Sequence, residues 1–203
     1  MKKLIQVGLL LVTIALAYFL VESILNPIRF KKEQTKRYDV VIQKLKDIRT
    51  AQNAYKDVYG EYIGSMDTLI DFVKFDSLAL VFKQGEIAEE LIGQITEREA
   101  IEKGMIVRDT MRISVLDSIF DPGYAIDSLR YIPYSLDKEF NMGAGEVVTG
   151  SKLKVKVFEA KAPSKYILQG MDMQQIINLN DGLDYPGLKV GSLTEPNTAG
   201  NWE

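Results

Sequence analysis

From Leu4 to Leu25 the chain is apolar with few interruptions, and no charged residue lies between Lys3 and Glu22. An α-helix rises about 1.5 Å per residue, so roughly 22 residues span about 33 Å, against a hydrocarbon core of about 30 Å. The run therefore predicts one transmembrane helix. Gln6, Thr13 and Ser23 fit such a helix, because their polar groups bond within it or reach toward its ends. Tyr18 and Phe19 fall toward the distal interface, where aromatic rings are favoured. A cleaved signal peptide is the rival: Lys2 and Lys3 make a basic head, and Ala15-Leu16-Ala17 is an A-x-A site. The apolar run continues through Tyr18, Phe19, Leu20 and Val21, so the cleaved product would begin with an exposed apolar tail. An uncleaved signal anchor accounts for the pattern better.

A different periodicity follows. Asn26 is a good N-cap and Pro27 suits the first helical position, so a second helix is expected to start there, kinked against the first. Its stripe reads Tyr38, Val41, Leu45, Ile48, Gln52, Tyr55, Tyr59, in alternating steps of three and four. Ile42, Ala51 and Val58 widen it, and Gly60 supplies a stop. Two uses of this helix-packing face stay open. It packs on the chain's own sheet, or it pairs with a second chain as a coiled coil. Polar Gln52 suits either a dimer register or a partly wet edge.

Ser65 caps a further short helix, with Asp67 in the first turn and Leu69, Ile70, Phe72 and Val73 inward. Leu78 to Phe82 reads as a strand, and Glu86 to Ile95 as a helical stretch. Thr96-Glu97-Arg98-Glu99 is a capping box, with Gly104 as the stop. From Met105 the texture changes to short alternating segments between turn residues. Strands are expected at Thr110–Leu116, Ser128–Tyr134, Glu146–Thr149, Lys152–Glu159, Lys165–Leu168 and Gln175–Leu179. The clearest is Lys152 to Val157, where three lysines alternate with Leu153, Val155 and Val157. Such lysines suit a solvated face or guard an edge. After Asn180 the chain reads as loop. The expected class is α+β: an N-terminal transmembrane helix, then an amphipathic helix packed on an antiparallel, β-rich C-terminal domain. The segments are an anchor (1–27), a basic juxtamembrane and amphipathic helical region (28–82), and a helical insert with a β-rich globular part (83–203). Residues 28–203 are enough for one core and one domain.

Charge sharpens the picture. The formal net charge is −3, but residues 28–49 carry eight basic and three acidic side chains. Arg29, Lys31, Lys32, Lys36 and Arg37 form a basic collar at the membrane interface, suited to anionic head groups. The remainder is acidic, which argues against nucleic-acid binding. Basic residues flank the apolar run on both sides. A short basic head before a single apolar helix is the pattern of a bacterial signal anchor, and long domains translocate largely regardless of charge. The domain is therefore expected outside the cytoplasm.

The chain has neither cysteine nor histidine. Disulfides, zinc–cysteine sites, thiol nucleophiles and the Ser-His-Asp triad are excluded, along with the usual general base near neutral pH. Ser135-Leu136-Asp137-Lys138 matches S-x-x-K, but it follows a strand in a polar turn and has no S-D-N or K-T-G partner. Gly145 to Lys152 nearly matches a P-loop, but Ser151 separates the second glycine from the lysine. Asn178, Asn180, Asp181 and Asp184 offer oxygens to a cation without the EF-hand spacing, and Asn-Asp-Gly is ordinary turn chemistry. Glu89, Glu90, Glu97, Glu99 and Glu102 read as a solvated helix face. No catalytic, metal or cofactor-binding residue is assigned.

Several stretches carry a resemblance. They are Arg37-Tyr38, Leu45-Lys46-Asp47-Ile48-Arg49-Thr50-Ala51, Tyr59-Gly60-Glu61-Tyr62, Asp67 to Val73, Arg108-Asp109-Thr110, Leu129 to Pro133 and Pro186 to Leu193. The chain resembles an uncharacterised bacterial membrane-anchored family that is type II secretion- and pilin-like in architecture. That resemblance implies an inner-membrane, single-pass envelope protein with a periplasmic C-terminal domain. Its implied role is a non-enzymatic structural or assembly component, with lipid and envelope proteins, or further copies of itself, as partners. The alternative is a membrane-tethered module that binds peptide, glycan or peptidoglycan. The pilin pattern itself departs here. A prepilin site places Glu five residues after its glycine, but Gly8 is followed by Leu9, with Thr13 at that position.

Overall fold

The structure is a computed structural model, and it describes residues 2–86 and 96–203. It is α+β. One long helix, α1, runs from Lys2 to Tyr59. There follow α2 (Met66–Phe75), β1 (Ser77–Gln84), α3 (Glu97–Glu102), β2 (Val107–Ser114) and α4 (Val115–Ile119). A 3-10 turn (Ile126–Arg130) leads into β3 (Asn141–Val148), β4 (Lys154–Pro163), α5 (Ser164–Ile167), α6 (Met173–Asn180) and β5 (Gly187–Gly191).

The chain forms two compact units: residues 1–49 with 129–203, and residues 50–128. In the first, β3, β4 and β5 form an antiparallel sheet with β4 central. Its core combines Val41, Leu45 and Ile48 of α1 with Phe158, Ala160 and Ala162 of β4 and Val190 of β5, all without exposure. Polar ties hold α1 in this unit. The Tyr38 hydroxyl meets the Ser164 hydroxyl at 2.8 Å, and Arg49 meets the Glu203 carboxylate at 2.8 Å.

The second unit joins the end of α1 to α2, α3, α4 and the antiparallel pair β1–β2. Ser65 caps α2, and Gly60 adopts φ +77°, the left-handed stop that a glycine allows at a helix end. The rings of Tyr55, Tyr59 and Phe72 pack with centroids 4.6–5.9 Å apart. Thr96 and Glu99 close the capping box of α3 from both sides.

Several expectations need correction. Asn26 does not cap a new helix, since α1 passes through Pro27 unbroken. Proline there forfeits one backbone hydrogen bond, a loss that a long flanking helix absorbs. The segment Ser128–Tyr134 is a 3-10 turn followed by a bridge between Tyr131 and Glu139, not a strand. Lys165–Ile167 lies in α5 and Leu168 caps its end; Pro163 opens this single turn, which buries Ser164 and Ile167. Gln175–Leu179 lies in α6, because the Asp172 carboxylate accepts hydrogen bonds from the Gln174 and Gln175 backbone N–H groups and starts a helix. The strand expected over Thr110–Leu116 ends at Ser114 and gives way to α4. The expected terminal loop contains β5, paired to residues Glu159–Pro163. The helical stretch expected from Glu86 to Ile95 lies outside the described residues apart from Glu86.

The lysine-bearing strand is central, yet its first half behaves as an edge. β5 pairs only with Glu159–Pro163, so Lys154 to Phe158 has a ladder partner on the β3 side alone. Lys156 meets Glu146 directly across that ladder, with 2.6 Å between the charged atoms.

Candidate functional site

The basic collar separates into residues with different work. Arg29 pairs with Glu22 at 3.3 Å, and both are substantially exposed. Lys32 and Lys36 are exposed. Arg37 is different. Its guanidinium pairs with Glu33 at 2.9 Å, donates to the Ile167 carbonyl at 3.3 Å and the Gln169 carbonyl at 3.0 Å, and stacks over the Tyr134 ring at 5.0 Å. This arginine supplies a donor to the last carbonyl of α5, at a helix end where backbone carbonyls have no intrahelical partner, and to a carbonyl just beyond it. It also holds the Glu33 carboxyl below its usual range.

The stripe residues divide as well. Tyr38 is half-buried, and burial raises its phenol above the usual value against the bond to Ser164. Val41, Leu45 and Ile48 are fully buried, as is Gln52. Tyr55 is half-buried and Tyr59 exposed, its hydroxyl donating to Asp76 at 2.6 Å. Gln52 does not lie at a wet edge, since it is fully buried. Its amide donates to the Ile63 carbonyl at 2.6 Å and accepts from the Ile63 N–H at 3.1 Å. A side-chain amide here completes a backbone pair.

At the end of the apolar run, α1 and α6 border a cleft of about 570 Å³. Its α1 wall comprises Ser23, Asn26, Pro27, Phe30, Lys31 and Gln34, and α6 adds Gln175, Asn178 and Leu179. Gln175 donates to Asn26 at 3.3 Å across it. Gln34 is 4% exposed, and its Oε1 is buried with no hydrogen-bond partner. This cleft was not legible in the sequence, because the α6 wall lies on a segment whose Ile176-Ile177 pair imitates a strand.

The motifs that suggested chemistry have structural uses. The Ser135 hydroxyl donates to the Ile132 carbonyl at 2.6 Å and accepts from the Lys138 N–H at 3.2 Å. It belongs to a turn in which Tyr134 and Asp137 have positive φ. The P-loop-like stretch is the β3–β4 hairpin turn, where Thr149 and Leu153 bond each other. Asn178 accepts from Gln174, and Asp181 ends α6. Glu99 serves in its capping box, which lowers its carboxyl pKa, and Glu102 pairs with Arg98 at 3.6 Å. Glu89 and Glu90 lie outside the described residues. Among the described residues no group of three or more acidic side chains is arranged to hold a metal.

One charged cluster escaped the sequence reading. Glu159, 7% exposed, pairs with Lys161 at 2.5 Å and Lys189 at 4.0 Å. Lys161 lies over the Tyr185 ring at 5.5 Å. Burial, assisted by Glu159, pushes the Tyr185 phenol up to about 12. Lys161 and Lys189 stand opposite each other in the ladder, and Glu159 offsets their repulsion.

No protein-family model, curated protein or solved structure matches the chain.

Proposed function

We propose that the protein is a single-pass membrane-anchored envelope component with a structural or assembly role and no catalytic activity. The observation that carries this reading is the continuity of α1. None of the described apolar residues from Ile5 to Leu25 is buried within the chain, and the same helix supplies Val41, Leu45 and Ile48 to a core. An apolar surface of that extent in water marks contact with a membrane or a protein. A single helix of this length and composition suits a bilayer. The domain is thus an extension of its anchor. Such coupling suits a part that positions others by lateral contact. In this reading the exposed Lys31, Lys32 and Lys36 meet lipid head groups, the domain lies in the periplasm, and its partners are envelope proteins or further copies of itself.

The topology is tested by a reporter fused after Glu203 that is active only outside the cytoplasm. An active fusion supports the proposal, while an inactive one beside a working cytoplasmic reporter overturns the location. The role is tested by cross-linking, and a chain without cysteine makes any introduced thiol unambiguous. Single cysteines at Phe82 or Met111, both exposed, are expected to trap discrete oligomers in membranes. A monomer retained on isolated cell wall would instead favour the tethered binding module.

A further inference from the structure

We propose that α6 lies in the lipid interface as a second membrane contact, seating Met173 and Ile177 among the glycerol backbones and first methylenes. The inference rests on the reading of Leu4–Leu25 as a membrane anchor. Its starting point is the level at which α6 meets α1. Three contacts mark the descent of the chain along that helix. Ser164 meets Tyr38 at 2.8 Å, the Ile167 and Gln169 carbonyls accept from Arg37, and Gln175 donates to Asn26 at 3.3 Å. At a rise of about 1.5 Å per residue, these levels lie about 20, 18 and 1.5 Å beyond Leu25. The head-group layer extends about 5–7 Å beyond the hydrocarbon. α6 therefore meets α1 inside that layer, while α5 stands clear of it.

The surface of α6 suits that place. Gln175, Asn178 and Leu179 border the cleft with α1, and Ile176 is buried. With about 3.6 residues per turn, Met173 and Ile177 fall on the opposite side of the helix. They are 64% and 55% exposed. Two apolar side chains one turn apart, directed away from the core, form the stripe of an interfacial helix. Ile28 of α1 is exposed close to the same level.

No charged residue lies from Met173 to Asn180. The amides of this helix are engaged within the protein, since Gln174 donates to Asn178 at 2.9 Å and Gln175 to Asn26. A helix without charge and with paired amides loses little on leaving water. Asp172 and Asp181 bracket it, and the Asp172 carboxylate accepts from the Gln174 and Gln175 N–H groups. The contact is thus apolar in origin and needs no anionic lipid.

The test uses the full chain reconstituted into phosphatidylcholine vesicles. The chain has no cysteine, so Met173→Cys, Ile177→Cys and Leu153→Cys each carry a single thiol-linked, polarity-sensitive fluorophore. All three sites are exposed, and Leu153 lies at the end of β4 remote from α5. Flotation records membrane association, and a nitroxide near the top of the acyl chain quenches any label that reaches it. All three chains are expected to float. Labels at positions 173 and 177 are expected to be quenched about twofold, and the label at 153 to be unaffected. Adding Met173→Glu to Ile177→Cys is expected to reduce quenching at 177 without changing flotation. Quenching that this change leaves intact would assign insertion to the dye and overturn the proposal. Chains that float without quenching at 173 and 177 overturn it too and leave the anchor standing. Blue-shifted emission that ignores the nitroxide and grows with protein density would give this face to a second copy, against the proposal. Chains that do not float overturn both readings.

Discussion

Gln52 shows how one side chain does the work of a backbone. Fully buried on α1, it bonds both polar groups of Ile63. Leucine at this position would keep the volume and remove both partners. Gln52→Leu is therefore expected to cost about 1–3 kcal/mol. For a chain of this size each kcal/mol lowers Tm by about 2–4 °C, measurable by circular dichroism in detergent. Tyr185 gives the pH dependence. Its folded pKa is raised to about 12 from an ordinary 10.0, by burial first and by Glu159 second. Folding favours the protonated phenol, so its contribution is fully present below pH 10 and is lost as pH rises toward 12. Among ten tyrosines, Tyr185→Phe is expected to remove one late-titrating phenol from the ultraviolet titration and to flatten the alkaline decline in stability. An unchanged titration would contradict the assignment.

At the scale of elements, α6 depends on the residue that caps its N-terminus. Asp172 accepts from the N–H groups of Gln174 and Gln175 at 2.8 and 3.1 Å. Asp172→Ala is expected to cost about 1 kcal/mol. Hydrogen exchange at the first turn of α6 should quicken, while Asp172→Asn should largely preserve protection. The same cap explains what the sequence concealed. Elements with a strong local signal were legible: the capping box of α3, Ser65 before α2, Gly60 after α1 and the alternation that becomes β4. Short segments rich in Ile and Tyr were not. Ile176-Ile177 and Tyr166-Ile167 have strand-like composition, and one capping aspartate or one preceding proline reverses them. β5 was hidden because Gly187 and Gly191 bracket it and read as turns. Gly191 has φ +74°, and a Cβ there would strike the Phe158 carbonyl, so glycine is required by the strand pairing itself. The cleft beside α1 needed α6 to be a helix, so it disappeared with that misreading.

At the scale of the molecule, the chain joins an unburied apolar helix to a core through one unbroken element. Among the described residues none buries the apolar surface of that helix. In the proposed reading the exposed lysines of the basic stretch meet anionic head groups, while Arg37 is engaged with Glu33 and the Ile167 and Gln169 carbonyls. Everything proposed about lipid contact and assembly depends on the helix staying attached. The most direct measurement is the intact mass of the protein in membranes washed at alkaline pH. The expected result is a chain of 22.9 kDa that retains its apolar N-terminus and stays in the membrane pellet. A shorter chain beginning at Tyr18, released with the soluble fraction, would show cleavage after Ala17 and contradict the anchor.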